Sequence, residues 1–219
     1  MPKQLPRPRA ILFDWDNTLV DTWPCIGRAT NITLEAMGHE PWTQAEMKQR
    51  IAGSLRDTFP KIYGDRWEEA RDIYYRAFAD IHLEMLVALT GAEDMLREAA
   101  KAGIYLGVVS NKTGKYLRAE ANHLGWTSLF GRLVGAQDAT RDKPAADPVH
   151  LALSDSGITA GPDVWFVGDA PIDVECGRNA GCSTIFFGIQ PMDAAGGIAP
   201  ADHNVADCKA LAGLVRASL

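Results

Sequence analysis

Residues 11–20 read Ile11-Leu12-Phe13-Asp14-Trp15-Asp16-Asn17-Thr18-Leu19-Val20, and the rest of the chain is understood from this stretch. The apolar run over residues 10–15 has the length and composition of a buried strand. Two carboxylates interrupt it, two positions apart. Side chains at i and i+2 of a strand share a face, so Asp14 and Asp16 are expected to meet in a partly dry place. There each would lose water and repel the other, a cost that a divalent cation removes. The alternative is that Asp16 or Asn17 caps a following helix, with Asp14 exposed at a strand end. The segment alone leaves both open.

Further short apolar runs lie at residues 104–109, 133–134, 164–167 and 183–187, separated by helical patterns. Strands alternating with helices predict an α/β fold with a central parallel sheet and helices on both faces. Gly103, Gly125 and Gly157 follow the helical stretches where a left-handed C-terminal residue is expected. Residues 22–89 break the alternation with helical signals and no convincing strand. Pro24 suits the first turn of a helix running to Met37, with Gly38 as its stop. Thr43 with Glu46, and Asp65 with Glu68, have capping-box spacing. Ala70, Ile73, Tyr74, Ala77, Phe78 and Ile81 form an apolar stripe. A helical domain over 22–89, inserted into a core of 1–21 and 90–219, is the expected organisation.

The composition excludes several function classes. The 219 residues carry a formal net charge of -6, which offers no electrostatic footprint for nucleic acid and no polybasic patch for a membrane. Cys25, Cys176, Cys182 and Cys208 are scattered without a CxxC pair, so buried free thiols are expected rather than disulfides or a zinc site. The apolar residues after Arg9 are too few for a signal-peptide core, and no run approaches the ~20 apolar residues a membrane span requires. The expectation is a soluble cytoplasmic protein, as a monomer or a dimer.

Three further segments lie at the carboxyl ends of predicted strands, where open α/β sheets form their ligand crevice. Val109-Ser110-Asn111-Lys112 offers a hydroxyl and backbone amides suited to phosphate oxygens, or else a plain strand-to-helix cap. Arg141-Asp142-Lys143-Pro144 is a proline-stiffened loop with an ammonium that could be catalytic or simply solvated. Val167-Gly168-Asp169-Ala170-Pro171-Ile172-Asp173 is a buried strand ending in Gly-Asp. Helix capping accounts well for Asp173, on a first turn, and poorly for Asp169, which directly follows an apolar run.

Together and in this order, the four segments resemble the haloacid-dehalogenase superfamily of phosphotransferases, whose first motif, DxDxT, is matched by Asp14, Asp16 and Thr18. The resemblance runs from Ile11 to the C-terminal helix. The helical insert resembles the C1 cap of the phosphoglycolate-phosphatase-like branch, with Asp21-Thr22 at its hinge. It implies a Rossmann-like three-layer core and a magnesium-dependent phosphatase acting on a small phosphorylated metabolite through an aspartyl-phosphate. Asp14 would be the nucleophile and Asp16 the acid and base. Asp14, Asp16 (through its main-chain carbonyl) and Asp169 would bind magnesium, with Asp173 in support. Thr18, Ser110, Asn111 and Lys143 would hold the phosphoryl group, Lys143 also neutralising charge around Asp14. Two departures stand out: Asn17 where a small residue is common, and Trp15 between the acids. A sugar phosphomutase of the same branch is an alternative, as is a non-catalytic phospho-ligand binder or phosphoacceptor domain. Arg56, in Gly53-Ser54-Leu55-Arg56, is the candidate specificity residue or else a solvated turn residue.

Overall fold

A computed structural model describes residues 5–50, 55–189 and 200–219. Gly53 and Ser54, and the side chain of Arg56, lie outside the described residues. The chain divides into two compact units: Met1–Asp21 with Ala88–Leu219, and Thr22–Val87.

The first unit is built on a parallel sheet whose strands are β1 (Ala10–Phe13), β4 (Tyr105–Thr113), β5 (Arg132–Ala136), β6 (Val164–Gly168), β7 (Ser183–Phe187) and β8 (His203–Val205), in the order β5-β4-β1-β6-β7-β8. All four residues of β1 are buried, as an interior parallel strand covered on both faces requires. Ala10 and Leu12 pack into the cluster formed with α7 (Asp147–Leu153) and α8 (Pro171–Asn179), through Val149, Ala152, Leu153 and Cys176. Elsewhere in this unit α5 (Ala92–Lys101) packs on α9 (Cys208–Ser218), and α6 (Gly114–His123) lies against β4 and β5. Gly103 and Gly125 have φ of 78° and 70°, the left-handed geometry expected after α5 and α6.

Phe13 pairs with Val108 of β4 and Val167 of β6, so β1 and β6 end nearly level while β4 runs on to Thr113. From β1 the chain continues toward β4, whereas from β6 it continues toward β7. The connections diverge there and open a crevice between β1 and β6.

The second unit is helical: α1 (Trp23–Ala36), α2 (Gln44–Arg50), α3 (Leu55–Tyr63) and α4 (Trp67–Ile81). Pro24 lies in the first turn of α1. The Thr43–Glu46 box forms in both directions, with Thr43 N–H donating to Glu46 Oε2 at 2.9 Å and Glu46 N–H to Thr43 Oγ1 at 3.3 Å. The Asp65–Glu68 box does not form. A 3-10 turn over Gly64–Arg66 intervenes, and Arg66 stands at the N-cap position of α4 without a side-chain cap, pairing instead with Glu69. The stripe on α4 buries Ala70, Tyr74, Ala77 and Phe78, with Ile73 and Ile81 half-buried. Two very short strands, β2 (Val20–Asp21) and β3 (Val87–Ala88), pair in a sheet of their own; two residues are too few for a periodic signal, and both escaped the sequence reading.

Gly168 ends β6 because nothing larger fits: a Cβ there would overlap the Asp173 side chain. Gly168→Ala must therefore displace Asp173 from its partners. Overpacking of this kind typically costs about 1–3 kcal/mol, and urea unfolding should show a midpoint lowered to match.

Candidate active site

The crevice gathers residues distant in sequence. β1 ends at Phe13, so Asp14 is the first residue beyond it; its N–H donates to Val167 O at 2.8 Å. The chain then turns tightly, with the N–H groups of Leu19 and Val20 both donating to Trp15 O. Asn17 adopts φ of 58°, a left-handed conformation that its side chain tolerates better than most.

This turn overturns the expectation that Asp14 and Asp16 share a strand face. Asp16 lies past the strand, and its carboxylate contacts Lys112 Nζ at 2.7 Å. Asp14 faces Lys143 instead. Lys143 Nζ donates to Asp14 Oδ1 at 2.6 Å and to Asp173 Oδ1 at 2.7 Å, and all three residues are buried. Asp173 makes the first-turn capping contact expected from its sequence and also takes the Lys143 ammonium. Oδ1 takes the ammonium, while Oδ2 accepts Ala170 N–H at 3.0 Å across the first turn of α8.

Asp169, the residue after β6, accepts a hydrogen bond from Thr18 Oγ1 at 3.3 Å. Asp14, Asp169 and Asp173 each present an oxygen within 4.8 Å of the others. Asp16 is not in this group, because its carboxylate is turned to Lys112. Ser110 is buried within β4, which runs longer than the sequence suggested, and its Oγ accepts Lys112 N–H at 3.2 Å, so its hydroxyl proton can be donated elsewhere. Asn111 has a different occupation. Its side chain donates to Lys143 O and accepts from Lys143 N–H, both at 3.1 Å, clamping the main chain of the loop that carries the ammonium.

Electrostatics define what this arrangement lacks. Three close carboxylates surround one ammonium, leaving an excess of two negative charges. Burial pushes the Asp14 carboxyl up from its ordinary 3.8 to about 7; Lys143 opposes this, while Asp173, Asp169 and Asp16 add to it. Asp169 is pushed up to about 6, by burial first and then by Asp173. Burial acts to lower the pKa of Lys143, but Asp14 and Asp173 reverse the shift and keep it charged. The donor set is entirely carboxylate oxygen and is short of two positive charges, which fits a hard divalent cation such as magnesium.

One group of residues was not singled out from the sequence. Glu120 of α6 is buried, and its Oε2 accepts both the Trp15 indole N–H and the Lys112 ammonium at 2.6 Å. A signal was available: Glu120 interrupts the buried side of α6 formed by Leu117 and Ala121.

Residues 11–187 match the haloacid dehalogenase-like hydrolase family. The chain belongs to that family. Among curated relatives, it is 31% identical over 183 residues to the N-acetylmuramic acid 6-phosphate phosphatase of Pseudomonas aeruginosa, covering 81% of this chain and 80% of the relative. It is also 31% identical over 180 residues to the phosphoglycolate phosphatase of Aquifex aeolicus, covering 80% and 83%. The crystal structure of a HAD-superfamily hydrolase from Ehrlichia chaffeensis aligns over 98% of this chain and 99% of that one, with a TM-score of 0.68 and 27% identity. No helix among the described residues is long and apolar enough to cross a membrane.

The carboxylate cluster predicts how a cation affects stability. Between pH 3.8 and about 7 the metal-free folded state keeps protons that the unfolded chain has released, so this cluster's contribution to stability falls as pH rises through that window. Magnesium binds the deprotonated form, so its stabilisation should be larger at pH 7.5 than at pH 5. At a hundredfold excess over Kd, about 2.7 kcal/mol corresponds to roughly 5–10 °C in melting temperature. Thermal melts with and without magnesium at both pH values measure it; an equal shift at both would oppose the assignment.

Proposed function

We propose that this protein is a magnesium-dependent phosphatase that hydrolyses a small phosphate monoester through an aspartyl-phosphate on Asp14. The observation that carries this reading is the buried Asp14 carboxylate, held 2.6 Å from Lys143 beside the carboxylates of Asp169, just past β6, and Asp173, in the first turn of α8. Membership of a hydrolase family, with curated phosphatases among the relatives, supports it.

In the first step an Asp14 oxygen attacks phosphorus, the bond to the ester oxygen breaks, and Asp16 gives its proton to the departing alcohol. In the second, Asp16 takes a proton from water as that water attacks the same phosphorus, releasing inorganic phosphate and restoring the Asp14 carboxylate. Dividing one displacement into two gives each a lower barrier. Lys143 neutralises the nucleophile and the phosphoryl oxygens, and the Ser110 hydroxyl donates to one of those oxygens. Thr18 orients Asp169, and Asn111 acts by fixing the Lys143 main chain. The carboxylates of Asp14 and Asp169 and the Asp16 carbonyl would hold magnesium, with Asp173 in support, supplying charge neutralisation to the transferring group. Selection among esters is assigned to the helical unit Thr22–Val87 and to Arg56 within it, with phosphoglycolate-like monoesters as the substrate class.

Asp14→Asn should abolish both turnover and the phosphoenzyme, because an amide is a poor nucleophile. Asp16→Asn should slow both steps by about 10²–10⁴-fold through loss of proton transfer. Acid-quenched labelling reads out the phosphoenzyme, and its persistence in the Asp14→Asn protein would remove Asp14 as the nucleophile. A panel of metabolite phosphates, scored for phosphate release against isomerised product, tests the substrate class and separates hydrolysis from mutase activity.

A further inference from the structure

Lys112, Glu120 and Trp15 form a buried network that ends on Asp16 and that the proposed chemistry does not otherwise use. Lys112 Nζ lies 2.7 Å from Asp16 Oδ1 and 2.6 Å from Glu120 Oε2, and its side chain is only 7% exposed. The same Glu120 oxygen accepts the Trp15 indole N–H at 2.6 Å. Trp15 is itself fully buried and meets Trp126 and Phe130 edge-on, with ring centroids 6.0 and 6.4 Å away. The network thus joins three elements: the turn after β1, the end of β4, and α6.

We propose that Lys112 and Glu120 are positioning residues for Asp16, fixing its carboxylate in the orientation from which it exchanges a proton. The inference rests on the reading of Asp16 as the acid and base. A buried ion pair is a poor means of holding a helix on a sheet, since well-packed apolar residues of similar volume are often at least as stabilising. Its value here is directional. Glu120 is anchored by α6 and by the indole, so it fixes where the ammonium stands. The ammonium in turn holds Asp16 Oδ1 by an ion pair, leaving Oδ2 as the oxygen that would exchange the proton. Asp16 needs such a restraint, because it lies on a turn past the strand and outside the Asp14, Asp169 and Asp173 cluster. Trp15, an unusual residue between the two acids, gains a role: its indole supplies the second donor on Glu120. Proton transfer is steeply sensitive to misplacement, so a loosened Asp16 loses much of its effect while remaining chemically intact.

The test compares substrates that differ in their need for an acid. An alkyl phosphate needs its leaving oxygen protonated, whereas 2,4-dinitrophenyl phosphate scarcely does. The double variant Lys112→Met with Glu120→Gln removes the ammonium together with the fully buried Glu120 charge, leaving the part-exposed Asp16 carboxylate as the network's one charge. It should lower kcat/KM on the alkyl phosphate by about 10–100-fold, in line with misplacement of a catalytic group, and on the dinitrophenyl ester by less than about threefold. Lys112→Arg, which keeps the charge, should show the same preference to a smaller degree. In an Asp16→Asn background the double variant should add almost nothing, as residues acting through one group are non-additive. Retained binding of fluoroberyllate with magnesium verifies that the nucleophile's surroundings are intact. Equal losses on both substrates, or full multiplication with Asp16→Asn, would overturn the positioning role. If Asp16→Asn by itself left the alkyl phosphate unaffected, the acid–base reading would fail first, and this inference with it.

Discussion

The Lys143 ammonium, shared between the Asp14 and Asp173 carboxylates, is the contact on which the site depends. It brings one charge from the crossover after β5, one from the turn after β1 and one from the first turn of α8. Each would be costly to bury alone, and together they are tolerable. The arrangement is still short of positive charge, because Asp169 adds a third carboxylate to the cluster. Such an imbalance suits a divalent cation, and the proposed phosphoryl transfer would draw on it.

Local details follow from this constraint. Gly168 is required because the Asp173 carboxylate occupies the space a Cβ would fill. Asn111 clamps the Lys143 backbone through two hydrogen bonds, so the ammonium is aimed from a fixed main chain rather than from a loose loop. The sheet order then explains the location. Connections diverge between β1 and β6, so residues immediately following those two strands look into the same opening.

The two aspartates of the first motif, although neighbours in sequence, belong to different electrostatic environments. Asp14 is paired with Lys143, and Asp16 with Lys112. In the proposed mechanism the two have opposite needs: the nucleophile must be ionised at the moment of attack, and the proton-transfer group must change its protonation within each turnover. Two separate ammonium groups, one at the end of β4 and one on the loop after β5, allow each acid its own surroundings. A strand with both carboxylates on one face would have forced a single compromise on them.

The sequence by itself determined that β1, β4, β5, β6 and β7 exist and, to within a few residues, where they lie. Apolar runs of four to six residues followed at once by acids are local signals, and so are the left-handed glycines after α5 and α6 and the helical periodicity of residues 22–89. Asp14, Asp169 and Asp173 could be picked out as candidates from these, while their roles came from the family resemblance. The tertiary structure decided who pairs with whom. Asp16 turning to Lys112, Asn111 serving Lys143, and Glu120 holding both Trp15 and Lys112 are contacts between residues that local periodicity cannot bring together, some more than a hundred positions apart. Hydrophobic patterning records which face of an element is buried, but a hydrogen bond's partner depends on where a second element packs, and only the folded sheet fixes that.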